Sequence, residues 1–250
     1  MELHQADALV LDVVDLHERD RIVAFLTAEF GQKRGVAKGA RTKFSRFAGQ
    51  LQPLAKVRVQ WAEKPERELV RIRDCQILAP PPDFGADLEA LLLGAYMAEH
   101  IAEFAQEDEP SSHYFRLLDS TLQAVQGGVP MELAARYVEI WILRLSGVLP
   151  VPRECPLCGA ELGDRAALFE ADGAIIGLEC AAEGESWTPV AAPELELLRR
   201  SGRQNLPTLA ADPPSREAMR RCEELCAKVR RNFLQNELRS YRMMKETLSG

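Results

Sequence analysis

The chain has 250 residues, of which 46% are hydrophobic and 28% charged, and its formal net charge is −7 at pH 7. Those values fit a globular protein with a sizeable core and exclude a disordered or fibrous chain. Taken whole, the negative sign also argues against a protein built to hold nucleic acid.

The distribution of charge reverses that last point. Residues 1–80 sum to +3, 81–152 to −8, 153–212 to −6 and 213–250 to +4. Within residues 32–73 there are 12 basic and 3 acidic side chains. Such asymmetry marks an anion-binding module joined to an acidic body. The N-terminal Met1-Glu-Leu-His-Gln-Ala-Asp7 lacks an apolar signal region, and the clean apolar run Ala90 to Ala98 is too short to span a membrane. Six cysteines without an export signal point to a reducing compartment, with thiols or a metal rather than disulfides. A cytoplasmic protein is expected.

In chain order, Ala8 to Leu16 is a β-rich run closed by the charged turn His17-Glu-Arg-Asp20, and Arg21 to Thr27 is a second short run. Residues 32–38 are a third strand candidate. Lys56 to Trp61 and Val70 to Cys75 alternate, which predicts half-buried strands with Val57, Val59, Trp61, Val70 and Ile72 inward and Lys56, Arg58, Gln60, Arg71 and Arg73 outward. About five short strands in roughly 80 residues suit a small antiparallel barrel of the OB type. Pro80-Pro-Pro82 ends that pattern. Helices are predicted over Asp87–Phe104, from Ser111 or Ser112 to about Gln126, from Met131 to about Ser146-Gly147, over residues 193–200, and as one long element from Ser215 to about Leu248. The fold expected is therefore α+β. An OB-fold-like barrel domain (1–80) precedes an all-α domain (81–250), which carries a zinc-finger-like insert at about 151–190.

Gly31 to Phe47 carries Lys33, Arg34, Lys38, Arg41, Lys43 and Arg46 with no acidic residue, and glycines at 31, 35 and 39. A Gly-punctuated basic segment of this kind reads as a strand entering a loop that brings N–H groups and cations to phosphates. No Gly-Lys-Ser/Thr follows, so it is not a P-loop. If the outer faces of the last two strands adjoin, Arg58, Arg71 and Arg73 extend the patch. Phe44, Phe47 and Trp61 are candidate base-stacking residues, although alternation turns Trp61 inward. A solvated basic loop anchored by Phe44 and Phe47 is the alternative.

Cys155-Pro-Leu-Cys158-Gly159 followed by Cys180-Ala-Ala-Glu183 is an incomplete zinc-ribbon pattern. Cys155, Cys158, Cys180 and Glu183 form one candidate ligand set. The other reading is a finger shaped by packing alone. Structural zinc sites are usually all Cys and His, so weak zinc binding or none is expected, and no cofactor is required. Cys222 and Cys226, one turn apart, read as a buried stripe. Arg21 stands where a zincin helix begun by His17-Glu18 needs its second His, and no nucleophile elbow, dinucleotide fingerprint or acidic two-metal cluster occurs. The expectation is a protein that is not an enzyme. Two alternatives stay open on the residues alone: a nucleic-acid-processing enzyme with an OB-fold targeting module, and a zinc-dependent interaction adaptor.

The order of parts resembles the bacterial RecO recombination mediators. The resemblance is carried by Gly31, Ala37-Lys38-Gly39-Ala40-Arg41, Ser45-Arg46-Phe47, Leu51-Gln-Pro53, Gly147-Val-Leu-Pro150 ahead of the Cys155–Gly159 knuckle, and Leu238-Arg239-Ser240. It covers essentially the whole chain. Glu183 departs from it, since many members carry a fourth Cys there. The resemblance implies a non-enzymatic, nucleoid-associated protein of DNA repair that binds single- and double-stranded DNA and anneals complementary strands. With RecR it would help RecA displace single-strand binding protein, whose acidic, aromatic-ended tail would dock on the helical part. No membrane partner is implied.

Overall fold

The alternation that begins at Lys56 belongs to a barrel wall. The computed structural model of the chain describes residues 2–64, 67–169, 173–181 and 186–248. In it β1 (Glu2–Leu16), β2 (Asp20–Thr27), β3 (Gln32–Ala37), β4 (Lys56–Glu63) and β5 (Val70–Ala79) close in the order β1-β2-β3-β5-β4. β1 is long enough to pair with two partners. Its second half pairs with β2 and its first half with β4, with a register shift between Val10 and Asp12 where the strand bends. Closure leaves no free sheet edge. Inside lie Ala8, Val10, Val23, Phe25, Val57, Val59, Trp61, Val70 and Ile72, as the period-2 pattern requires.

Two helices pack on this barrel. α1 (Leu88–Phe104) starts at Asp87, whose side chain accepts from the Ala90 N–H at 3.0 Å, and α2 (Ser112–Gln126) follows. Lys56 reaches from β4 to Asp119 of α2 at 2.8 Å. Gly31 explains the close fit of the β2–β3 turn to the α1–α2 linker. Its φ is +64°, and a Cβ there would stand 2.0 Å from the Glu109 carbonyl oxygen. The chain thus divides into two compact units, Met1–Gly127 with Thr247–Gly250, and Gly128–Glu246. The composition changes at Pro80-Pro-Pro82, but the packing groups α1 and α2 with the barrel. His100, fully buried between Tyr96 and Phe104 rings at 5.4 and 5.3 Å, is a core histidine.

The second unit holds α3 (Met131–Leu145), a sheet of β6 (Arg165–Phe169), β7 (Ile175–Gly177) and β8 (Trp187–Ala191) in the order β7-β6-β8, then α4 (Ala192–Ser201), α5 (Leu206–Ala211), α6 (Arg216–Leu234) and α7 (Arg239–Leu248) as far as Glu246. Residues 151–190, the stretch of the expected zinc-finger-like insert, thus contain most of a small antiparallel sheet. The single long C-terminal helix also differs, because it is two. Gln235 takes a left-handed conformation (φ 57°), and Glu237 behind the break pairs with Arg230 and, at 2.7 Å, with Arg231. With no Gly or Pro at the corner, the stop is set by those ion pairs and by burial of Leu238. Arg136, 2% exposed, meets Glu139 at 3.0 Å and Glu223 at 3.2 Å; Glu223 also accepts from Tyr241 Oη at 3.0 Å and Lys245 Nζ at 2.9 Å. Among the described residues, no helix is long and apolar enough to cross a membrane.

Candidate nucleic-acid interface

Residues 38–55 connect β3 to β4. Ala40, Phe47, Leu51 and Ala55 sink into the barrel core and tie the loop down along its length. Gly39 (φ +72°) turns the chain off the end of β3. Its N–H donates to Asp20 Oδ1 at 2.8 Å, and its carbonyl accepts from Thr42 Oγ1 at 2.8 Å. Further along, the Phe47 N–H donates to Ser45 Oγ at 3.1 Å and Gln50 Nε2 donates to the Arg46 carbonyl at 3.0 Å. The loop is a chain of closed turns. Its shape is set before any ligand arrives, which lowers the ordering cost of binding.

The cations of this region separate into two groups. Lys33 is in the first: its side chain is 8% exposed, and its Nζ lies 3.1 Å from Glu63 and 2.5 Å from Asp108. Burial works against its charge, yet the two carboxylates hold its pKa above the ordinary lysine value. Arg41 latches the loop to the β1–β2 turn. Its guanidinium donates to the His17 carbonyl at 2.6 Å, its Nε stands 3.3 Å from Asp15, and its own N–H donates to the Arg19 carbonyl at 3.0 Å. Arg58 pairs with Asp7 at 2.8 Å on the far side of β4.

The second group faces water. Lys38, Lys43 and Arg46 are exposed along the loop and meet no carboxylate among the described residues. Arg34 and Arg71 are exposed on the outer wall and Arg73 is half-buried there. Parallel pairing sets Val36 opposite Arg71 and Ala37 opposite Ile72, so Arg34 and Arg71 share one outer face, and one further step of the register sets Lys38 alongside Arg73. The geometry therefore brings Arg34, Lys38, Arg71 and Arg73 to one wall with the loop beyond it, and leaves Arg58 outside. Of the aromatic candidates, Phe47 (2% exposed) and Trp61 (0%) are core, whereas Phe44 is 93% exposed.

In the second unit, the Sγ atoms of Cys155, Cys158 and Cys180 all lie within 4.8 Å of one another. The knuckle is closed by the Cys155 N–H on the Ala160 carbonyl and the Gly159 N–H on the Cys155 carbonyl, both at 2.8 Å. The Gly177 N–H, with those of Leu157 and Cys158, draws the Cys155 thiol down to about 6; hydrogen bonds to Cys158 and Cys155 push Cys180 up to about 12. A tetrahedral zinc with Zn–S near 2.3 Å needs sulfurs about 3.8 Å apart, so three thiols gathered this closely fit three of its four ligands. Glu183, the fourth candidate, lies outside the described residues.

A family model described as "Recombination protein O N terminal" matches residues 1–81, and one described as "Recombination protein O C terminal" matches residues 85–242. The chain belongs to the RecO family. It is 37% identical to the DNA repair protein RecO of Koribacter versatilis (strain Ellin345) over 180 residues, 72% of each chain. To the DNA repair protein RecO of Geobacter metallireducens it is 33% identical over 204 residues, 81% of this chain and 83% of the relative. A third relative, the DNA repair protein RecO of Anaeromyxobacter dehalogenans (strain 2CP-1), is 29% identical over 247 residues, 98% of this chain and 97% of the relative.

One cation of this RecO-family barrel escapes a linear reading. Arg19 is exposed in the β1–β2 turn, and with His17, Glu18, Asp20, Lys38 and Gly39 it lines a shallow pocket at the foot of the loop. Its acidic neighbours mask it in any charge count, and it is brought to the loop by the hydrogen bonds of the Arg41 N–H to the Arg19 carbonyl, of the Arg41 guanidinium to the His17 carbonyl and of the Gly39 N–H to Asp20. The charged turn His17-Glu-Arg-Asp20 between the first two runs was the available signal.

Proposed function

We propose that this RecO-family chain is a DNA-binding mediator of repair and recombination that works without enzymatic turnover. The observation that carries the reading is the segregation of charge on the barrel: Lys33 ties β3 to β4 and to the α1–α2 linker and Arg41 latches the loop to the β1–β2 turn, while Lys38, Lys43 and Arg46 project from the loop and meet no carboxylate among the described residues. Phosphates reward such an array, and neutralising them releases condensed counterions, so binding is sequence-independent and salt-sensitive. Annealing requires little more than holding two strands with their charge screened and their bases free. Arg34, Arg71 and Arg73 extend the surface beside the loop, and family membership supports a role in DNA repair and recombination. Both single- and double-stranded DNA are bound. RecR, the tail of single-strand binding protein and, indirectly, RecA are the protein partners, and the site of action is the cytoplasmic nucleoid.

Zinc has a structural place in this reading. Cys155, Cys158 and Cys180 would hold it, with Glu183 in the fourth position; three thiolates and one hard carboxylate bind zinc more weakly than four thiolates. The metal would add its binding energy to folding of the insert.

A strand-annealing assay with complementary oligonucleotides at several salt concentrations tests the function. The expected result is faster pairing with the protein than without it, weakening as salt rises, with no ATP hydrolysis and no cleavage. Magnesium-dependent cleavage that survives repurification would refute it.

A further inference from the structure

The loop spends two of its aromatic opportunities differently. Phe47 is in the barrel core, while Phe44, three residues earlier, stands 93% exposed. Leaving a Phe side chain in water forgoes roughly 1.5–3 kcal/mol of burial, on a loop whose other large apolar side chains, Phe47, Leu51 and Leu54, are buried. Its surroundings are cationic. The Lys43 Nζ lies 5.8 Å from the Phe44 ring centroid, the Arg46 guanidinium 5.4 Å from that of Phe47, and residues 31–47 contain no carboxylate. A flat apolar face among cations matches a ligand that has flat apolar faces and one negative charge per unit, which describes an unpaired nucleotide. In a duplex the base faces are covered by their neighbours, and a ring reaches them only by unstacking a step at a cost of a few kcal/mol.

We propose that Phe44 stacks on exposed bases and gives this loop its preference for single-stranded nucleic acid over duplex. The proposal rests on the nucleic-acid reading of the loop and adds a division of labour. Lys38, Lys43 and Arg46 serve both ligands through phosphates, whereas Phe44 serves only the one whose bases are free.

The test compares the full chain with Phe44→Ala, Phe44→Leu and Phe44→Trp, measuring affinity for an oligothymidine and for a blunt duplex of equal length across a salt series. Phe44 supports no core contact, so equal melting temperatures should confirm that all variants fold. Phe44→Ala and Phe44→Leu are expected to weaken oligothymidine binding by about 5- to 150-fold, the range set by one base–aromatic stack. Duplex affinity and both salt slopes should stay unchanged. Phe44→Trp should retain affinity, and its added fluorescence should be quenched by oligothymidine and not by duplex. Unchanged oligothymidine binding by Phe44→Ala, or equal losses on both ligands, would overturn the stacking role while leaving phosphate contact intact. Loss of binding to phosphatidylserine vesicles in Phe44→Ala, with oligothymidine binding retained, would assign the residue to a membrane surface instead. A wild-type chain that binds neither nucleic acid would overturn the reading of the loop itself, and the stacking role with it.

Discussion

Lys33 should behave as a structural cation. Its Nζ joins Glu63 at the end of β4 to Asp108 in the α1–α2 linker, at 3.1 and 2.5 Å, from a position on β3 whose side chain is 8% exposed. Lys33→Met keeps most of the buried stem and removes the charge. Asp108 is 68% exposed and regains water, so little of the penalty falls there; Glu63, 32% exposed, regains only part of its hydration. Stranding that carboxylate and losing charge-assisted hydrogen bonds should cost about 1–3 kcal/mol. For a unit of this size the melting temperature should fall by roughly 3–10 °C. Lys33→Ala also removes buried methylenes at about 0.8 kcal/mol each, so it should fall further than Lys33→Met. The pH dependence has a defined sign. A lysine whose pKa is raised on folding contributes stability that is complete below its unfolded value, about 10.4, and is lost as pH rises through the higher folded value. The stability difference between wild type and Lys33→Met, measured by denaturant unfolding, should therefore shrink only above that pH. The salt slope of DNA binding, measured below the transition, should match the wild type. A slope reduced by about 0.9 on duplex, with stability unchanged, would show Lys33 to be a phosphate contact and refute the structural assignment.

Gly31→Ala should be severe, because its Cβ would meet the Glu109 carbonyl oxygen at 2.0 Å, whereas Gly39→Ala meets only Thr42 Oγ1 at 3.8 Å and should cost about 1 kcal/mol of left-handed strain; paired thermal melts check the contrast. Burial opposes the charge of Glu223, but Arg136 and Lys245 hold its pKa below the ordinary carboxylate range. Its contribution should therefore be present above about pH 4.3 and disappear as pH falls through the depressed value, so unfolding curves of wild type and Glu223→Gln should converge in acid. Glu183→Cys should raise zinc retention and thermal stability together, read by metal analysis and melting after chelation. Stoichiometric zinc surviving prolonged chelation in the unaltered chain would contradict the weak-site expectation.

The barrel was legible because its physics is local. Strict alternation in Lys56–Trp61 and Val70–Cys75 sets which side chains face the core, and the burial of Val57, Val59, Trp61, Val70 and Ile72 follows it. Helix starts at Asp87 and Pro130 were equally plain, since caps and prolines act on their own neighbours. The break at Gln235 was hidden because it depends on Glu237 turning back to Arg230 and Arg231. α5 is short, yet Asn205 accepting from the Thr208 N–H at 2.9 Å, ahead of Pro207, was a start signal that could have been read. The glycines at 31, 35 and 39 looked like one phosphate-binding punctuation. Two of them instead relieve close approaches, Gly31 to the α1–α2 linker and Gly35 to Val70 and Ile72. At the site, residue type identified the cationic stretch, but which cations are available depends on partners distant in sequence: Asp108 for Lys33, His17 and Asp15 for Arg41, and Asp7 for Arg58.

The salt dependence of DNA binding by Lys38→Ala/Lys43→Ala/Arg46→Ala bears most directly on the proposed interface. These three side chains are exposed and make no ion pair among the described residues, so their removal leaves the barrel intact. If each contacts one phosphate, the log–log slope of affinity against salt should fall by about 2.7 on duplex and about 2.1 on single strands, with the melting temperature unchanged. A triple variant that keeps both the wild-type affinity and the wild-type slope would contradict the assignment of this loop to nucleic acid.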